Sequence, residues 1–186
     1  MKNEELDKLR NRLSIEAKNG IDFIISAAII WAAIAFIWTL KADAYNKSIL
    51  VFIAGGPMLP LALLLSKILK TKWKVADNPL QPLGLWLNFA QVLYFPFLIF
   101  ILIKQPEYFV MTYAIITGAH FLPYSWFYNT KWYAVFAVII SFGGLILALS
   151  LCVENQHYIG VFTSISLFVL SILLRADYKK KGALLI

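Results

Sequence analysis

Six long apolar runs crowd into this chain, at residues 21–40, 48–68, 83–103, 108–128, 132–151 and 158–174, and together they take up about two thirds of its 186 residues. Most approach or exceed the roughly 18–20 residues needed to cross about 30 Å of hydrocarbon. Lipid offers backbone amides no partner, so each run is expected to be a helix. The runs do not alternate apolar and polar residues, which excludes a β-barrel. Hydrophobic residues make up 61% of the chain and charged residues 15%, against about 45–50% and about 25% in soluble domains. The expected fold is therefore all-α: a polytopic transmembrane helical bundle of six spans in one domain over residues 1–186, with no room for a soluble catalytic domain. The first run lies behind a tail rich in both charge signs and lacks a small-x-small cleavage site, so it reads as a span and not a signal peptide.

The charges set the threading. With the N-terminus in the cytoplasm, 14 of the 17 lysines and arginines fall on inner segments, and only Lys41, Lys47 and Lys104 fall outside. Cytoplasmic loops are the basic ones, so both termini are expected in the cytoplasm and the protein in the plasma membrane as a multi-pass chain. The fourth run holds His120, Pro123 and two tyrosine–polar clusters. Deleting it would send Arg175, Lys179, Lys180 and Lys181 outside, against the charge rule, so six spans are kept. The net charge of +7 flanks the spans, as expected of residues facing anionic lipid; no nucleic-acid partner is expected. The loops 104–107 and 129–131 are short enough to force antiparallel neighbours. Trp73, Trp86, Trp126 and Trp132 fall at inner span ends and Trp38 at an outer one, an interfacial belt. In the cytoplasmic tail, residues 1–19, Leu6, Leu9 and Leu13 form one helical stripe opposite charges, so a short amphipathic helix on the inner leaflet is expected.

A few residues are out of place in hydrocarbon. Asn88 and Gln91 share a face of the third span, and His120 and Tyr124 a face of the fourth. At 1.5 Å per residue all four lie about 5–12 Å from the inner ends of their spans. They are candidate ligand-binding residues, with His120 the group poised to titrate near neutral pH. The competing reading is interhelical glue, in which the same side chains satisfy one another. Pro57 and Pro60, within Gly55-Gly56-Pro57-Met58-Leu59-Pro60, remove two backbone donors and predict a kink in the second span; Pro123 repeats the theme in the fourth. Broken helices at mid-membrane mark many transporter sites. Asp22 and Glu107 suit helix N-termini. Cys152 is the sole cysteine and can form no internal disulfide. No metal cluster, cofactor motif or phosphate loop is present, so no cofactor is expected. A hydrolytic Ser125–His120–Asp77 arrangement can be drawn on residue type alone.

Pro106-Glu107-Tyr108-Phe109, Gly118-Ala119-His120-Phe121-Leu122-Pro123-Tyr124, Asp77-Asn78-Pro79-Leu80 and the stretch from Asn88 to Pro96 resemble a pattern in a family of small uncharacterised integral-membrane proteins of Gram-positive bacteria. The resemblance spans most of the chain. It implies a bacterial plasma membrane and no activity. The expected function is handling or sensing of a small solute or lipid-like ligand in an intramembrane polar pocket. The alternatives are a non-enzymatic accessory or assembly protein and, third, an intramembrane hydrolase. The expected partners are the bilayer and a small-molecule ligand.

Overall fold

The computed structural model describes residues 3–184. Among them there is no strand, and nine α-helices follow one another: α1 (Asn3–Glu16), α2 (Ile21–Thr39), α3 (Ala44–Gly55), α4 (Met58–Leu69), α5 (Gln81–Val92), α6 (Phe95–Lys104), α7 (Phe109–Phe127), α8 (Trp132–Ser150) and α9 (His157–Ala183). The second apolar run is thus two helices, α3 and α4, and the third is α5 and α6.

Both breaks have local causes. At Gly56–Pro57 the Gly56 amide turns back to the Ile53 carbonyl at 3.1 Å, and α4 starts afresh with Pro57 as its N-cap. Pro60 does not break the helix. It sits in the first turn of α4, where a missing amide donor costs nothing. At Leu93–Tyr94 two amides bond three residues back, to Ala90 and Gln91, and Pro96 lies in the first turn of α6. α7, by contrast, stays helical through Pro123.

Helices α2, α7, α8 and α9 form the packed core, with α2 along α9, α7 along α8, and α8 against α9. Small residues permit these approaches. A Cβ on Gly160 would stand 2.7 Å from the Ala35 Cα, and one on Gly118 would stand 2.8 Å from the Ser141 amide. α3–α4 leans on α2, and α5–α6 on α7. In α5 no residue is buried, and in α6 only Leu98 is.

Five helical stretches are long and apolar enough to cross a membrane: Lys18–Thr39, Ala44–Leu69, Gln81–Lys104, Trp132–Ser150 and Val153–Ala183. The fourth apolar run is also a 19-residue helix, α7, but it is not among these five. Ten of its residues are buried. Neighbouring helices cover it, so its surface tolerates Thr112, Thr117 and His120 where a lipid-covered helix would not. The outward faces of the other helices carry large apolar side chains, among them Phe36, Ile53, Trp86, Leu93, Phe142 and Leu149, each more than half exposed. A belt of this kind is costly in water and suits hydrocarbon.

The two ends of the bundle differ. At one end gather α1, the 70–80 loop, the 128–131 turn and the last turns of α9. α1 is tied down there: Asn78 donates to the Leu9 carbonyl (2.9 Å), Asn129 to Asn11 (3.0 Å) and Arg12 to the Ala76 carbonyl (3.1 Å), while Leu13 and Ser14 are buried. At the other end, Lys47 donates to the Trp38 carbonyl (3.2 Å) and Ser48 to that of Pro106 (3.3 Å).

Candidate functional site

The antiparallel course of α5 and α7 brings two of the four polar candidates together. The Tyr124 hydroxyl, buried on α7, donates to Asn88 Oδ1 on α5 at 3.0 Å. Asn88 in turn donates to the Gly84 carbonyl at 3.0 Å, bonding back within its own helix. Gln91 and His120 lie about one turn further along their helices, both half-buried. Neither forms a side-chain hydrogen bond among the described residues. The His120 ring meets that of Tyr124 edge-on at 5.2 Å. Pro57, Pro60 and Pro123 are all exposed on outer faces. The result is a polar strip on the seam between the tight core and the loosely packed α5–α6 arm.

From Tyr124 an aromatic ladder runs towards the end capped by α1. Tyr124 stacks on Tyr128 (6.1 Å) and Tyr128 on Tyr133 (5.9 Å). The Tyr133 hydroxyl donates to the Asn19 carbonyl at 2.6 Å. This leads to a second polar cluster, at Ser14, Asn19, Asp177 and Lys181. Asn19 accepts from Ser14 (2.6 Å) and donates to Asp177 (3.0 Å); Lys181 donates to Asp177 (2.6 Å), Ser14 and the Tyr128 carbonyl (both 2.9 Å). Beside it, Asp22 is 1% exposed and accepts from Thr71 (2.8 Å) and the Trp73 indole (2.6 Å). Asp22 does lie in the first turn of α2, but the helix terminus is only part of its setting: it anchors the 70–80 loop.

Sequence reasoning missed this cluster. Its pivot is the run Lys18, Asn19 and Gly20, all at positive φ (49°, 55° and 68°), which folds α1 back over the end of α2. A Cβ on Gly20 would come 3.2 Å from the Tyr128 hydroxyl. Asn-Gly ahead of an apolar run was the available signal.

The hydrolytic arrangement is not assembled. The Ser125 hydroxyl donates to the Thr130 carbonyl at 2.8 Å, and no hydrogen bond joins His120 to a carboxylate among the described residues. Nor do three or more His, Cys, Asp or Glu side chains converge into a metal-binding group among those residues.

These features define a class: an all-helical bundle with helices of membrane-crossing length and apolarity around a more polar, buried helix. The chain belongs to DUF7010, a family of unknown function, with residues 6–177 matched. No curated protein and no solved structure matches it.

Proposed function

We propose that this chain is a multi-pass protein of the bacterial plasma membrane, a single transmembrane domain whose six crossings include α7. Both termini face the cytoplasm. A small polar solute or lipid-like ligand binds between the α5–α6 arm and α7. The threading is supported by the charges: the end where α1, the 70–80 loop, the 128–131 turn and the tail of α9 gather carries nearly all the cations. α7 crosses as the interior helix, its polar residues shielded by its neighbours.

The observation that carries the ligand reading is the seam itself. His120 and Gln91 sit within the apolar zone with no hydrogen bond among the described residues, and in hydrocarbon an unpaired polar group costs several kcal/mol. Asn88 and Tyr124 orient the ligand at the inner side of the strip, and His120 offers it an imidazole that makes no hydrogen bond among the described residues. The break at Leu93–Tyr94 lets α6 shift relative to α5. The Asn88–Tyr124 bond favours a second reading, an accessory or assembly protein in which the strip only joins helices.

Thermal-shift screening of the detergent-purified protein against polar metabolites and lipids separates the two. A ligand that binds only the folded form raises the melting temperature. That rise is expected to vanish in His120→Ala and Gln91→Leu, with the unliganded melt unchanged or higher, since each removes an unpaired polar group. Variants that melt far below the parent without ligand identify the strip as structural.

A further inference from the structure

The α1-capped end carries a second feature that the polar strip does not use. A surface depression of about 480 Å³ lies where α1 crosses the α7–α8 turn, lined by Arg10, Ser125, Trp126, Thr130, Lys131 and Ala134. We infer that this depression binds the phosphate of an anionic phospholipid headgroup.

Four independent observations meet there. First, Arg10 and Lys131 bring two cations to the rim. Arg10 pairs with Asp7 at 2.8 Å and donates through Nε to the Trp126 carbonyl; with five donors on a guanidinium, three remain for an anion. Lys131 is exposed, lies 5.1 Å over the Trp132 ring, and makes no ion pair among the described residues. Second, α8 begins here with Lys131 as its N-cap and no side-chain cap. Its first amides therefore face the turn unpaired, as in helix-terminal anion sites. Third, Thr130 is 5% exposed and its hydroxyl finds no partner among the described residues. Buried hydroxyls are normally satisfied, so Thr130 leaves in the wall of the depression a polar group without a partner among the described residues. Fourth, the lining is polar at one side and apolar at the other. Leu122 also lines the depression and is 56% exposed, and Val138, one turn beyond Ala134 on α8, is 54% exposed. Trp126, 45% exposed, lies between the two zones. An amphipathic ligand fits this gradient: its phosphate meets Arg10, Lys131 and the α8 amides, and its acyl chains descend past Leu122 and Val138. A soluble phosphate would make no use of the apolar half.

The inference rests on the membrane reading above but not on the polar strip. Resistance of the protein to extraction by alkaline carbonate tests the membrane reading separately. The direct test is native mass spectrometry of the detergent-solubilised full chain titrated with phosphatidylglycerol or phosphatidylcholine, alongside melting curves in inorganic phosphate at matched ionic strength. Phosphatidylglycerol is expected to bind more tightly. Its affinity should fall about fivefold in Lys131→Gln, given the usual contribution of one cation near an anionic lipid. It should fall further in Lys131→Gln combined with Thr130→Val. Lys104→Gln, at the opposite end, should leave it unchanged. Equal affinity for the two lipids, or a preference untouched by the Lys131 variant, overturns the proposal. Stabilisation by inorganic phosphate equal to that by phosphatidylglycerol overturns the lipid assignment and makes the ligand a soluble phosphate.

Discussion

The Tyr124 hydroxyl and Asn88 Oδ1, 3.0 Å apart, form the only side-chain hydrogen bond between α5 and α7 among the described residues. It holds an arm with almost no buried surface of its own against the central helix. A double-mutant cycle with Tyr124→Phe and Asn88→Ala should give a coupling of about 0.6–1.7 kcal/mol, the range for interhelical bonds in membranes. The cycle is read from reversible unfolding in mixed micelles. A coupling near zero would mean that apolar contacts alone seat α5.

Gly160 and Gly182, both on α9, predict opposite signs. A Cβ on Gly160 would meet the Ala35 Cα at 2.7 Å and its amide nitrogen at 2.8 Å. Backbone cannot swing aside as a side-chain tip can, so α2 and α9 would have to separate. Gly160→Ala should destabilise by about 1–3 kcal/mol, as overpacking does. A Cβ on Gly182 would meet nothing within 4 Å. Gly182→Ala should be neutral or stabilising by up to about 1 kcal/mol, from helix propensity alone. Melting temperatures of the two variants in one detergent check both signs.

Much of this architecture is readable from residue type. The apolar runs foretell the long helices, because hydrocarbon length and backbone satisfaction leave few alternatives. Gly56-Pro57 foretells a break, because proline lacks the donor and clashes with the preceding turn. Pro60 shows the limit of that rule: the cost of a proline depends on whether its amide was needed, and in the first turn of α4 it was not. Pro123 lies inside α7, where its missing amide leaves the Ala119 carbonyl without its helical donor, yet the helix continues. The pairing of Asn88 with Tyr124 follows from depth and a short loop. The fate of Asp22 does not. Its partners Thr71 and Trp73 are about fifty residues away, delivered by a loop that turns at its own left-handed residues, Lys70 and Asp77. The same holds for α1, whose leucine stripe suits a lipid surface and a protein surface equally well.

Asp22 provides the test of that loop anchorage. Its carboxylate accepts from both Thr71 and Trp73 while buried. Both donors reach the same oxygen, Oδ2, so an Asn here keeps both bonds by placing its amide oxygen there, whereas Asp22→Ala removes the acceptor and leaves the indole, which cannot re-aim as a hydroxyl can, unsatisfied. A cost of about 1–3 kcal/mol is expected for the unsatisfied group. The 70–80 loop should also become more open to trypsin at Lys70, Lys72 and Lys74. Trp73→Phe combined with Asp22→Ala should cost less than the sum of the single variants, because the two share one bond. Additive costs would place the effect elsewhere.

Glu16, at the end of α1, gives that docked helix an acid-sensitive tether. Its carboxylate accepts from Arg12 at 2.7 Å and from Lys72 at 2.9 Å. These bonds, Arg12 first and Lys72 second, hold its pKa below the ordinary 4.5. A carboxyl whose folded pKa is depressed contributes stability that is present above its unfolded pKa and lost as pH falls through the folded value. The pair is near the surface, so the contribution is at most about 1 kcal/mol. Melting curves from about pH 7 to about pH 3.5 should therefore show a decline that Glu16→Gln makes shallower, with the difference between the proteins confined to the acid end. Raising the ionic strength should shrink the same difference, since surface pairs are screened. Equal acid slopes for the two proteins would show that the α1 end is held by the Asn11, Asn78 and Lys181 bonds, with no measurable help from Glu16.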